Sequence, residues 1–348
     1  MKKYIIYIVF EIAAVISFTA CNNKEIVAPG FDVAPNKLSF KVGDTIVFNI
    51  SGNPDMILFY SGENGKRYAN ANRLSASGSE KLVFQSSMQQ GVIPSNDSLR
   101  LMVSSNLSGY DAASVQKATW TDITSRNTKW PTTLSTNFTT SDSVDISDFN
   151  TANKINIAFK YIGKKNPAAA QRKWQIQNLA LSNNLSDGTV TPLFAAPFLG
   201  PATPSVSAFA YTGWVEVSIK NNTQPGTASN GYAGYNAWNV GTGGISTADS
   251  VRNSNGIPIR AAYPITFDPG PTVNNDDNED WLITTSVDLK TTKADAGTPI
   301  KKLADVPLSL YKYIVKKAGV YTMTFVATNS DVSDQRSVIK QVTITVTP

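Results

Sequence analysis

Tyr232, Tyr235 and Trp238 recur at three-residue spacing inside Pro225 to Asn255, a stretch dominated by Gly, Ser, Thr and Asn. Aromatic faces in polar surroundings suit saccharides. A pyranose offers a C–H-rich surface that stacks on indole or phenol, while neighbouring amides bond its hydroxyls. Asn236 and Asn239 are placed to supply those amides. So long a segment without structure of its own is unusual in a compact domain unless it is functional. The same residues admit a second reading, in which the aromatics fold back and pin the loop to the domain beneath. Trp130, followed by Pro131 in a polar stretch, is open to either role. Trp120, Trp174, Trp214 and Trp281 stand among apolar neighbours in strand-like segments and are expected in a core.

Acidic residues concentrate in Asn274-Asn275-Asp276-Asp277-Asn278-Glu279-Asp280. Calcium takes about six to eight oxygen ligands, which carboxylates and carbonyls of one loop can supply. Asp276, Asp277 and Asp280 are the candidate ligands, and a structural calcium ion is the one cofactor this composition suggests. The spacing does not follow an EF-hand loop, and a solvated acidic loop satisfies the same composition. Asp142, Asp145 and Asp148 repeat at every third position beside a strand-like segment. Two carboxylates flanking a sugar can hydrolyse it at a suitable separation, which spacing along the chain does not give.

The chain has no histidine and one cysteine, Cys21. That removes His-based triads, His-ligated zinc and imidazole acid–base chemistry. If Cys21 carries lipid, thiol nucleophiles and thiolate metal sites go too. The argument for lipid lies around it. Lys2 and Lys3 precede an apolar run from Tyr4 to Phe18, and Phe18-Thr19-Ala20-Cys21 ends the segment. A positive start, an apolar middle and small residues before a cut describe a secretory signal. Cys21 stands where a lipoprotein signal peptidase leaves a new first residue. The competing reading is an uncleaved membrane anchor, but the run, interrupted by Glu11, is short for a span of about 20 residues. The formal charge of +5 is scattered rather than clustered, so no nucleic-acid face is expected.

The elements that must position these residues read as β-strands. Period-two alternation marks Thr45 to Ile50, Met56 to Tyr60, Lys81 to Gln85, Leu99 to Val103, Lys154 to Tyr161 and Lys173 to Leu181. It continues at Ala208 to Lys220, Trp281 to Thr284, Leu308 to Val315, Gly319 to Thr328 and Val338 to Val346. Only Ala112 to Ala118 suggests a helical turn or two. The fold class is all-β, with turn signals at sandwich spacing.

The ends of the chain look like halves of one object. Phe40-Lys41-Val42-Gly43-Asp44-Thr45 with Phe59 to Gly65, and Ala318-Gly319-Val320-Tyr321-Thr322 with Lys340 to Val346, together resemble a polycystic-kidney-disease-type (PKD) Ig-like domain. Phe59 to Gly65 departs from that family's acidic turn. The resemblance implies a discontinuous sandwich, residues 35–75 plus 292–348, with a second domain over 76–291. Residues 1–20 are then the signal and 21–34 a tether. Two small Ig-like domains flanking a central one remain the alternative. Between them, Leu101 to Gly109, Ala118 to Ile123, Val144 to Phe149, Asn156 to Tyr161, Lys173 to Leu179 and Asp280 to Thr284 resemble the galactose-binding-like jelly roll of bacterial surface and cleaved-adhesin domains.

Taken together the arrangement is similar to a family of Bacteroidota outer-membrane lipoproteins associated with glycan-utilisation loci. The resemblance implies a lipid-anchored protein on the cell exterior that binds oligo- or polysaccharide without catalysis. It would work beside an outer-membrane transporter, meeting the membrane through its lipid alone. An adhesin or structural protein-binding module is the alternative, and an unrecognised glycoside hydrolase a third reading.

Overall fold

The computed structural model describes residues 25–91, 99–165, 169–195, 199–201, 213–221, 237–240, 246–252, 258–262, 264–269 and 277–348. Among them the protein is all-β, as the alternation predicts. The α-helix of the described residues is the short Ala112–Lys117, started by Asp111, whose carboxylate accepts from the Ser114 N–H at 2.9 Å. No helix of the described residues is long and apolar enough to cross a membrane. Cys21 and residues 1–20, expected from the sequence to be a signal, lie outside the described residues.

The chain divides into two compact units: one takes the described residues up to Asn72 together with Ala294–Pro348, the other Arg73–Lys293. The first unit is built from both ends of the chain. In its three-stranded sheet, Thr45–Gly52 pairs with Phe31–Pro35 on one side and Leu310–Ile314 on the other. In its five-stranded sheet, Met56–Tyr60 lies between Thr298–Lys301 and Gly319–Ser330. Gln335–Thr347 and the short parallel Ser39–Lys41 complete that sheet. Each strand turns alternate side chains inward, so Ile46, Phe48, Ile57, Phe59, Met323, Phe325 and Ile344 form one buried cluster. Phe48, Phe59 and Phe325 meet ring to ring at centroid separations of 4.8–6.1 Å. Burying each such ring stabilises by about 1.5–3 kcal/mol. Both terminal halves of the chain contribute to this cluster.

The second unit enters and leaves through adjacent strands: Ser75 bridges Thr291, Thr292 N–H donates to the Leu74 carbonyl, and Ala76 N–H to that of Lys290. One of its sheets runs Trp214–Asn221, Asn278–Thr284, Asn156–Gly163, Leu99–Ser104 and Thr121–Asp122. The other runs Ala237–Val240, Ile265–Asp268, Lys173–Asn184, Ser79–Gln90 and Thr139–Thr140, with Val190–Ala195 and Val144–Asp145 pairing alongside. Leu82, Phe84, Leu101, Phe159, Trp174, Ile176, Phe267 and Leu282 form the core they share. A third, three-stranded sheet joins Leu199–Pro201, Pro258–Ala262 and Ser246–Arg252.

The expectation of a structureless Pro225–Asn255 is corrected here. Its described parts are the strands Ala237–Val240 and Ser246–Arg252. Trp238 pairs in register with Phe267 and is wholly buried, its ring edge-on to Phe267 at 5.6 Å. An indole with no exposed face cannot stack on a sugar, so Trp238 is a core residue. Asn239 lies on the same strand in register with Thr266. Tyr232, Tyr235 and Asn236 lie outside the described residues.

Candidate functional site

Trp130 is the sequence-predicted aromatic that the structure places at a cavity. The segment around it is fixed at its base. Ile123 is buried, and a turn of 3₁₀ helix over Thr124–Arg126 reverses the chain. Asn127, also buried, follows: its Oδ1 accepts from the N–H groups of Lys129 (3.2 Å) and Asp142 (2.9 Å). Asp142 Oδ2 accepts from the Thr128 N–H and Oγ1, while Lys129 Nζ stands 3.0 Å from Oδ1. These bonds, led by the Thr128 hydroxyl, hold the Asp142 carboxyl down at about 2. The far end of the segment is tied by the Ser135 N–H to the Met88 carbonyl at 2.8 Å. It rejoins the sheet where Thr139–Thr140 pairs with Ser86 and Gln85.

The Trp130 side chain is half-buried. Its ring lies 5.4 Å from Phe84 and 6.3 Å, edge-on, from Trp174, and its Nε1–H donates to the Thr124 carbonyl at 3.1 Å. Beside it opens a cavity of about 310 Å³. Phe138 and Pro131 supply further apolar surface, and Thr132, Thr133, Ser135, Asn137 and Thr139 supply hydroxyls and an amide. The volume sits at the lower end of the about 300–1,000 Å³ usual for small-ligand sites, and the mixture of aromatic wall and scattered polar groups is typical of them. No lining residue is a carboxylic acid, amine or thiol. The arrangement can stack a ring and bond its hydroxyls, and it presents no acid–base pair. Sequence reasoning missed Phe138, which is not embedded in any aromatic pattern; its only signal is its place eight residues after Trp130, on the far side of a Pro-Thr-Thr turn sequence.

The acidic candidates go elsewhere. Asp276 lies outside the described residues. Asp277 accepts from the Lys165 N–H at 2.8 Å and pairs with Lys220 at 2.9 Å. Asp280 is wholly buried, with Oδ1 accepting from Ser218 Oγ at 2.5 Å and Oδ2 without a partner. Burial pushes its carboxyl up to about 8, against the Ser218 bond and with help from neighbouring Glu216. Glu216, two positions before Ser218 on the adjoining strand, is pushed by burial up to about 7. Asp280 thus faces the core while Asp277 is ion-paired, and among the described residues no group of three or more metal-ligating side chains gathers. The triplet Asp142, Asp145, Asp148 is likewise spent on fixing chain. Asp145 takes Lys81 at 2.5 Å and the Ser147 N–H, and Asp148 grips Arg126 through two bonds of 2.7 and 2.8 Å.

Of the tryptophans expected in a core, Trp174 and Trp214 are buried in the main cluster. Trp281 is buried on the opposite face of its sheet, with half-buried Trp120 against it at 4.7 Å.

The model of a family described as a domain of unknown function, DUF5017, matches residues 20–198. No curated protein matches the chain.

Proposed function

The chain belongs to the DUF5017 family, whose matched span takes in both Cys21 and the Trp130 segment, and we propose that it is a cell-surface lipoprotein that captures glycan at the Trp130 cavity without transforming it. The observation that carries this reading is the cavity's lining: an indole rooted in the core, a second aromatic, and neutral hydroxyl and amide groups around them. Such a surface matches the alternating C–H face and hydroxyl rim of a pyranose. On this reading Cys21 is the lipid-bearing first residue, and the protein works at the outer membrane, holding oligo- or polysaccharide for a transporter.

Titration calorimetry of the full chain against neutral oligosaccharides tests the site. Binding is expected to be lost in Phe138→Ala and weakened in Asn137→Ala, whose exposed side chain leads us to expect an unchanged melting temperature. Unchanged affinity in both variants, or no heat with any glycan, overturns the reading. Metabolic labelling with palmitate tests the anchor: Cys21→Ser should abolish the label.

A second reading, a protein-binding surface module, draws on one observation. Leu58, Val326 and Ile339 sit side by side across three strands, on the face of the five-stranded sheet away from the core. Leu58 and Ile339 are exposed there, and a contiguous exposed apolar patch is a mark of protein contact.

A further inference from the structure

A second cavity, of about 490 Å³, lies within the first unit, and its lining is of a different chemistry. One wall is the turn Ser61–Gly65. Gly62, at φ 79°, has its N–H bonded to the Lys66 carbonyl and lies so close to the Thr322 backbone that a Cβ would stand 2.9 Å from the carbonyl oxygen. Arg67 is laid along this turn: Nε donates to the Gly62 carbonyl at 3.3 Å and Nη2 to Asn64 Oδ1 at 2.7 Å. The other wall comes from the far end of the sequence, Lys316, Lys317 and Gly319 to Tyr321. Tyr321 donates its hydroxyl to the Lys317 carbonyl at 2.9 Å, and its ring lies against Gly319, where a Cβ would meet it at 3.2–3.3 Å.

The charge around this cavity is unbalanced. Arg67, Lys316 and Lys317 line it with a single acid, Glu63. Glu63 Oε2 is already engaged by the Tyr313 hydroxyl and by Ser61 Oγ at 2.9 Å. Lys316 and Lys317 are exposed, and among the described residues neither makes an ion pair. Two exposed lysines beside a lining acid that is already engaged favour an anion. The volume far exceeds what a single small ion fills, and a tyrosine ring fixed beside a glycine backbone adds a flat apolar face.

We propose that this cavity binds an acidic saccharide, a sugar bearing carboxylate or sulfate, with Lys316 and Lys317 meeting the charge, Arg67 shaping the opposite wall and Tyr321 lying along the ring. This site goes beyond the Trp130 reading and does not depend on it.

The test is calorimetric titration of the full chain at low salt with a sulfated hexasaccharide and with trigalacturonic acid, beside maltohexaose, inorganic sulfate and inorganic phosphate. Both acidic oligosaccharides are expected to bind more tightly than maltohexaose in the wild type, and more weakly as salt rises. Lys316→Ala combined with Lys317→Ala, both exposed, should lower that affinity about tenfold or more while leaving the melting temperature unchanged. Phe138→Ala should leave acidic binding intact, which separates failure here from failure at the Trp130 cavity. The proposal is overturned if the lysine variant binds the acidic oligosaccharides as the wild type does, or if neither of them binds. It is equally overturned if sulfate or phosphate alone binds as tightly as the oligosaccharides, since the cavity would then recognise a bare anion.

Discussion

Asp142 Oδ2 accepts hydrogen bonds from both the N–H and the Oγ1 of Thr128, each at 2.7 Å. One carboxylate therefore holds two groups of the chain two residues before Trp130, and Lys129 completes its shell. Asp142→Asn leaves one acceptor oxygen and removes the charge that attracts Lys129. Deuterium exchange of the amides of residues 128–139 is expected to accelerate and affinity at the Trp130 cavity to fall, with the melting temperature of the unit nearly unchanged. The pH dependence has a definite sign. The carboxyl is lowered from 3.8 to about 2 by the Thr128 and Lys129 bonds. Its contribution is present above pH 4 and disappears as pH falls toward 2. Affinity should be flat from pH 5 to 8 and decline in acid; a decline already complete at pH 5 would assign the effect to another group.

Asp280 and Glu216 carry the opposite sign. Burial lifts Asp280 from 3.8 to about 8 and Glu216 from 4.5 to about 7. Between the ordinary and the raised values the folded chain holds protons that the unfolded chain has released. Stability of the Arg73–Lys293 unit therefore falls as pH rises from about 5 to 8 and levels off above that. Asp280→Asn keeps an acceptor for Ser218 and cannot ionise. We expect it to flatten the curve and to raise stability at pH 8, by an amount on the order of a few kcal/mol. Thermal melts followed by circular dichroism at unit pH steps will read this directly, and a variant whose curve parallels the wild type would rule out Asp280 as the source.

The class of fold was legible because most strands bury one face only. Thr45–Gly52 alternates exposed and buried side chains along its length, and alternation is what a sequence displays. What the sequence hid were inward-facing polar residues. Glu80, Asp280 and Asn183 occupy buried strand positions on the same faces as core residues Leu82, Leu282 and Leu181, where their polarity alone marks them as solvent-facing. Trp238 was hidden for the converse reason: its Gly-, Ser- and Asn-rich neighbourhood reads as loop, while its pairing with Phe267 is a long-range fact. The Trp130 aromatic was visible and its partner Phe138 was not. Arg67 and Lys316 approach one cavity from opposite ends of the chain, a relation no local spacing can carry.

Trp238 supplies a direct check of that account. Its indole is wholly buried and its Nε1–H donates to the Asp280 carbonyl at 3.3 Å. Trp238→Ala should cost about 3–5 kcal/mol of stability and, at temperatures where the variant is folded, leave calorimetric affinity for neutral glycan unchanged. A stable variant with weakened binding would return Trp238 to the ligand site.

Gly52 tests the first unit alone. It sits at φ 92°, where an L side chain is strained, and a Cβ there would stand 1.8 Å from the Gly30 carbonyl oxygen. That approach lets the end of Thr45–Gly52 pair with Phe31, the first residue of the neighbouring strand. Gly52→Ala must either break this pairing or shift the backbone. The cost is expected to exceed about 1 kcal/mol, the usual gain from Gly→Ala at a compatible site being reversed. Because Gly52 belongs to the unit formed by the two chain ends, calorimetry should show its transition lowered while that of the Arg73–Lys293 unit stays in place. Acidic-saccharide binding should then be lost on heating before neutral-glycan binding is, since the two cavities belong to different units. Loss of both at one temperature would mean that the units unfold as one.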